Sequence, residues 1–199
     1  MSKRPIRDGL GFFGTFLGKP GSVGAVLPST RYLARALVGR LELQPGELIV
    51  EFGPGTGPMT AVIREHLPAG VHYLGIELEP RFHKLLVERF PTMAFHQGSA
   101  GDLPAILAER SLPKAMRIVS GLPFASLPAK VQDDVIGGVV QCLQPGGDFR
   151  TFQYVHAYGM RQAKRFRRLM DERFGSFERI GPVIRNVPPA FVLRYWGPR

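Results

Sequence analysis

Only one cysteine and one tryptophan occur in these 199 residues. A lone thiol, Cys142, excludes an internal disulfide and cannot build a thiolate metal cluster, so no metal site is expected. It falls in a helical pattern beside Val139, Val140 and Leu143, the place of a core residue. Long hydrophobic runs are missing as well: no apolar stretch approaches the roughly 20 residues that cross a bilayer. The first residues are broken by glycine and carry no cleavage-site pattern, so no signal peptide is expected and the anticipated location is cytoplasmic. Acidic residues are in short supply, 16 against 26 Lys and Arg, for a net charge of +10. Residues 1–40 hold seven cations and Asp8 alone, residues 150–199 hold eleven cations and three acids, and residues 41–149 carry eight cations against twelve acids. The basic excess sits at the two ends of a mildly acidic middle, which points to a polyanionic partner, either nucleic acid or an anionic membrane.

What is present is a regular alternation of short apolar runs and helical periodicity. Strands are expected near 48–52, 71–77, 92–97, 115–121 and 147–154, with helices near 58–67, 80–90, 101–110 and 128–143. Pro145-Gly146-Gly147 is expected to stop the last of these helices and turn the chain into the fifth strand. A basic helix near 157–174 and two strands near 177–185 and 190–197 complete the series. Repeated units of this length predict one α/β domain over 1–199: a Rossmann-like, seven-stranded, mostly parallel sheet with helices on both faces and a final hairpin. Residues 21–47 are expected to form a helical N-terminal cover, and residues 1–20 an amphipathic extension.

The most informative stretch is Leu48-Ile-Val-Glu-Phe-Gly-Pro-Gly-Thr-Gly57. An apolar strand ends in an acid, Glu51, and then meets glycines at alternate positions, Gly53, Gly55 and Gly57. Such a turn lets a ligand lie against bare backbone. Glu77 follows Gly57 by 20 residues and ends the next apolar run, the place and spacing of a ribose-hydroxyl acceptor in a βαβ nucleotide site. Dinucleotide sites set the third glycine one residue later, so G-x-G-x-G fits a ligand without a pyrophosphate.

This form resembles the first motif of class I S-adenosylmethionine-dependent methyltransferases. The resemblance implies that Gly53, Gly55, Thr56 and Gly57 pack on the methionine part of S-adenosylmethionine, and that Glu51 helps hold its ammonium group through water. It also implies that Glu77 receives the ribose hydroxyls, with Leu78, Ser99, Ala100 and Ser120 contributing to the same cofactor site. Asp102 is expected either to reach adenine or to cap a helix. Val119-Ser120-Gly121-Leu122-Pro123-Phe124 is similar to the N-L-P-[FY] motif of ribosomal RNA adenine dimethyltransferases, with Gly121 where their asparagine stands. The amide that grips a planar base amine is therefore missing, and a small residue leaves room for a tetrahedral amine. Gly24 to Ala34, Glu51 to Gly57, Ser120 to Phe124 and Asn186-Val-Pro-Pro-Ala190 together resemble the soluble bacterial phospholipid N-methyltransferases.

That second resemblance implies N-methylation of phosphatidylethanolamine and its partly methylated products toward phosphatidylcholine. Tyr32, Ser120, Gly121, Leu122 and Phe124 would form the methyl-transfer site. Aromatic faces of Phe124, Tyr32 and Tyr154 would steady the methylated ammonium through cation–π attraction. The anticipated partners are the phospholipid substrate and an anionic membrane surface, with no nucleic acid. Ile6, Leu10, Phe13 and Leu17 share one face of residues 1–20, and basic flanks beside an aromatic stripe suit an interfacial helix. Arg161, Lys164, Arg165 and Arg168 form a second basic face opposite Ala163, Phe166, Met170 and Phe174. The chain is therefore expected to sit peripherally on the inner leaflet. Two other readings stay open on the sequence: an RNA adenine N-methyltransferase, and a nucleotide-sensing membrane-binding protein without catalysis.

Overall fold

A computed structural model of the protein describes residues 30–199. The amphipathic segment at 1–20 and the stretch from Gly24 as far as residue 29 lie outside the described residues. Seven strands form one sheet in the order β3-β2-β1-β4-β5-β7-β6. They are β1 (Leu48–Phe52), β2 (His72–Glu77), β3 (Phe95–Gln97), β4 (Ala115–Ser120), β5 (Leu143–Tyr154), β6 (Phe174–Val183) and β7 (Ala190–Pro198). The first five run parallel, and β7 is inserted antiparallel between β5 and β6. The strand order reverses between β1 and β4. Open α/β sheets bind ligands at the carboxyl ends of the strands flanking such a switch point.

The helices are α1 (Arg31–Val38), α2 (Pro58–His66), α3 (Pro80–Arg89), α4 (Leu103–Glu109), α5 (Ala129–Cys142) and α6 (Arg161–Arg173). Prolines open α2 and α3, where the missing N–H costs nothing. Every residue of β1 is buried, as the covering of both sheet faces requires. One face packs Val50, Phe52, Leu74 and Ile118 against α4, α5 and α6; the other packs Ile49, Tyr73 and Val119 against α1, α2 and α3. Cys142 lies in the first of these layers, buried as its neighbours suggested.

Of the helical cover expected over 21–47, α1 accounts for Arg31–Val38, and a turn then leads into β1. Both ends of α1 are tied to distant strands. At its start Thr30 caps the helix, and the Thr30 N–H and hydroxyl both donate to Oδ1 of buried Asn186, at 3.0 and 2.8 Å. The Asn186 amide donates in turn to the Pro188 carbonyl, so the turn between β6 and β7 is bolted to the helix. At the other end Arg150 and Arg117 donate to the Leu37, Val38 and Arg40 carbonyls. Both arginines, with Arg194, converge on buried Asp148 at 2.7–2.9 Å. Burial alone would raise the Asp148 pKa, but Arg117 and Arg150 outweigh it and hold the carboxyl below its ordinary value.

Element limits differ from the sequence reading mainly at breaks. Strand pairing resumes as soon as α5 ends, because Leu143 already sits opposite Ala115; Pro145-Gly146-Gly147 forms an irregularity inside β5 rather than a linker before it. The basic helix starts at Arg161 because a short 3₁₀ turn occupies Val155–Ala157.

Candidate active site

The sequence Gly53-Pro-Gly-Thr-Gly57 bends left-handed at all three glycines, with φ of +61°, +59° and +84°. Their Cβ directions differ in meaning. At Gly53 a Cβ would lie 2.7 Å from the Leu122 side chain, and at Gly57 it would strike the Phe90 ring. At Gly55 it would meet nothing, so that backbone is the open one. Gly57 thus serves the packing of the loop onto α3 and Gly53 the close approach of Leu122, while Gly55 leaves backbone accessible beside β1. Thr56 is anchored through its carbonyl, which accepts from Arg89 at 2.7 Å.

Glu77, at the end of β2, is buried and braces this loop. Its two carboxylate oxygens accept the N–H groups of Gly55 and Glu79, each at 2.9 Å. Burial raises its pKa, and those two backbone bonds offset part of the rise. Each oxygen keeps a second lone pair for a ligand hydroxyl. A cleft opens here between the ends of β1, β2 and β3, lined by Gly53, Glu77, Leu78, Ser99, Ala100 and Leu122. Further apolar wall comes from Leu127, just ahead of α5, and from Val131 and Val135 on it. Those three were not anticipated, although apolar residues four apart running into an expected helix were a visible signal. The arrangement offers a flat apolar slot with one paired-acceptor carboxylate at its edge, which suits a nucleoside.

Glu51 lies deeper. It is fully buried, and its Oε2 accepts from Thr60 at 2.8 Å and from the Tyr73 hydroxyl at 2.6 Å. Its Oε1 has no partner. Burial pushes the carboxyl up to about 7 despite the two hydroxyl bonds, with the nearby Glu77 charge adding to the rise. An unmatched buried carboxylate oxygen is costly, and a cationic ligand group is what it lacks. The open Gly55 backbone, the orphan Glu51 oxygen and the Glu77 carboxylate therefore fit the ammonium and ribose of S-adenosylmethionine. Tyr73 and Thr60 escaped the sequence reading because nothing local marks a tyrosine on one strand as the partner of an acid on the next.

Other expected residues land elsewhere. Asp102 stands at the N-cap position of α4 but is exposed and makes no capping bond; Ser99 caps the preceding turn instead, accepting from Gly101 N–H at 3.1 Å. Asp102 is not among the residues that line the cleft. Ser120 is buried, and its hydroxyl accepts Leu122 N–H at 3.2 Å, which makes it a turn-holder. The Cβ direction of Gly121 points at the Gly53 carbonyl, 2.8 Å away. The glycine there allows two backbones to touch, and the space expected for a tetrahedral amine is filled by the β1 turn.

The expected aromatic cage is likewise not assembled. Phe124 is fully buried, stacked on Phe166 with centroids 4.3 Å apart and edge-on to Phe149. Tyr32 is exposed at the start of α1 with the Arg185 guanidinium 5.2 Å over its ring. Tyr154 stacks on His156, and burial pushes its phenol up to about 12. The loop that carries Leu122 is instead fixed by buried Gln132, unnoticed in the sequence. Its amide donates to the Phe124 and Leu127 carbonyls, and its Oε1 accepts from Arg165. Arg165 also pairs with Asp133 at 2.7 Å, so it is an internal brace and not one of the outward cations.

Among curated proteins the chain is 33% identical over 188 residues to the ornithine lipid N-methyltransferase of Singulisphaera acidiphila, an alignment covering 93% of this chain and 94% of that one. The chain belongs to the lipid N-methyltransferases. No protein-family model matches it. Its fold is that of the class I S-adenosylmethionine-dependent methyltransferases. A TehB-like methyltransferase of Corynebacterium glutamicum superposes with a TM-score of 0.61 at 15% identity, over 85% of this chain and 88% of that one. Fibrillarin from Aeropyrum pernix, solved with S-adenosylmethionine bound, gives 0.61 at 18% identity over 84% and 76%. For this lipid N-methyltransferase, the sequence-based expectation of an S-adenosylmethionine cofactor and a lipid acceptor holds, and the RNA adenine and non-catalytic readings give way to it.

The state of Glu51 has a measurable consequence. Only its ionised form attracts an ammonium group. Cofactor affinity measured calorimetrically is therefore expected to be level above about pH 7 and to fall below it by up to about ten-fold per unit. Glu51→Gln is expected to flatten that profile; a wild-type profile that is already flat between about pH 6 and 8 sinks the assignment.

Proposed function

We propose that the protein methylates the primary headgroup amine of a membrane aminolipid, with ornithine lipid as the first candidate and phosphatidylethanolamine as the second. The observation that carries the proposal is the 33% identity, over 93% of the chain, to an ornithine lipid N-methyltransferase. Phosphatidylethanolamine is favoured by the paired segments before β1 and around Asn186, which resemble the phospholipid enzymes. When bound, S-adenosylmethionine supplies an activated methyl on a sulfonium sulfur. The chain then has mainly to hold the acceptor in line and exclude water. Glu77, Leu78, Ser99 and the α5 wall hold the nucleoside side. The turn at 120–124, braced by Ser120 and Gln132, forms the ceiling toward the acceptor. An ammonium headgroup gives up its proton before it acts as a nucleophile, so the rate is expected to rise with pH. The same reading puts the protein peripherally on the inner leaflet of the cytoplasmic membrane.

The test supplies methyl-labelled S-adenosylmethionine with vesicles of ornithine lipid, vesicles of phosphatidylethanolamine, or unmodified RNA. Label is expected in ornithine lipid. Label in phosphatidylethanolamine alone selects the second candidate, and label confined to RNA overturns the proposal.

A further inference from the structure

Exposed apolar side chains are not spread evenly over this protein. Of the eight large ones exposed among the described residues, five are Tyr32, Val155, Met160, Ile184 and Val187. These come from three separate segments: the first turn of α1, the connection from β5 to α6, and the turn between β6 and β7. The fold gathers them at one place. Tyr154 pairs with Ala190, which sets the β6–β7 turn beside the carboxyl end of β5. Val155 N–H donates to the Pro189 carbonyl at 2.9 Å, and Asn186 holds Thr30 next to Tyr32. That edge is the carboxyl edge of the parallel strands, the same one that opens into the cofactor cleft.

Cations accompany them. Arg185 lies on the β6–β7 turn, and Arg161, Lys164 and Arg168 are exposed along the first half of α6, lining a cleft against Ala129 and Gly159. None of these four enters a salt bridge among the described residues. Ile184 and Val187, 74% and 66% exposed, sit in the turn with most of their surface open to solvent. Exposed aliphatic groups beside cations that form no salt bridge match an anionic bilayer, where the former enter the headgroup layer and the latter meet phosphate.

We infer that this edge of the folded domain is a membrane-contact rim. It sets the mouth of the cofactor cleft against the headgroup layer, through residues separate from the 1–20 segment. The inference rests on the reading that the acceptor is a membrane lipid, and it adds which surface meets the membrane.

The test uses the full chain and sedimentation with phosphatidylcholine vesicles, with or without phosphatidylglycerol. Ile184→Ser with Val187→Ser is expected to weaken binding at least ten-fold while the melting temperature stays unchanged. Arg161→Gln, Lys164→Gln and Arg168→Gln together are expected to weaken binding similarly, but only where phosphatidylglycerol is present. Neutralising Arg40, Lys114 and Arg199 is the charge-matched control and is expected to change binding little. Wild-type binding by the Ser double variant, or an equal loss in the control, overturns the inference.

Because Cys142 is buried, Ile184→Cys and Phe177→Cys can each carry a single environment-sensitive label. A blue shift on vesicles is expected at 184 and not at 177; equal response at both also overturns it. Methylation of a short-chain aminolipid dissolved below its micelle concentration is expected to be unaffected in the Ser double variant. If wild-type protein labels no lipid yet the rim variants lose vesicle binding, the acceptor assignment falls and the rim stands. Loss of RNA binding, rather than vesicle binding, in the triple variant overturns the rim.

Discussion

Replacing Glu77 is expected to abolish useful cofactor binding while leaving the fold nearly untouched. Hydrogen bonds to a charged group contribute about 1.5–3 kcal/mol each, so losing the two ribose contacts expected of Glu77 in Glu77→Ala corresponds to roughly 10²–10⁴-fold weaker binding. Glu77→Gln separates this from bracing. It keeps the shape, but one of the N–H groups of Gly55 and Glu79 then faces an amide NH₂. Against that cost, burial holds the Glu77 pKa above its ordinary value, which means the ionised side chain is itself a burden on the fold at neutral pH. The two effects oppose, and the melting temperature is expected to move by only a few degrees, about that of 1 kcal/mol. Calorimetric titration with S-adenosylmethionine beside thermal melts reads both. If affinity survives Glu77→Ala, or if affinity and melting temperature fall in proportion, Glu77 is only a brace for the glycine loop.

The second large effect belongs to stability. Asp148→Asn leaves Arg117, Arg150 and Arg194 crowded around a neutral amide, with Asp148 and Arg150 both buried. Removing one partner of a buried ion pair costs about 3–5 kcal/mol, which for a chain of this length lowers the melting temperature by about 10 °C. The damage is expected to extend to α1, since Arg117 and Arg150 also hold its last carbonyls. The pH dependence has a definite sign. The folded-state pKa of Asp148 lies below its unfolded value, so its contribution is complete above the ordinary carboxylate range. It is lost as pH falls through the folded value, and the melting curves of wild type and Asp148→Asn are expected to converge in acid. A variant within about 2 °C of wild type at neutral pH means the arginines find other partners.

How far the sequence reached can be followed residue by residue. The path from Glu51 through the three glycines to Glu77 was legible because it is local chemistry. A strand, a left-handed turn and an acid at the end of the next strand are each encoded by neighbours in the chain. Leu78, Ser99, Ala100 and Leu122 come to one cleft for the same reason, since each sits just beyond a strand whose direction was foreseeable. Phe124, Tyr32 and Gly121 read differently in space. An aromatic residue after Leu-Pro is placed by what it packs on, and Phe124 packs on Phe166 from α6, 42 positions later in the chain. Gly121 looked like room for a substrate, but the room is taken by the Gly53 carbonyl, 68 positions earlier in the chain.

The sequence by itself determined the α/β alternation, the acid–glycine–acid cofactor signature and the resemblance to lipid N-methyltransferases. These depend on periodicity, turn geometry and motif spacing, which short-range interactions fix. Only the tertiary structure decided that Asn186 grips Thr30 and that Arg165 is spent on Gln132 and Asp133. It alone brought Tyr32, Val155, Met160, Ile184 and Val187 to the edge that opens on the cofactor cleft. Those outcomes depend on strand register and on close packing between residues distant in sequence, which no local pattern carries.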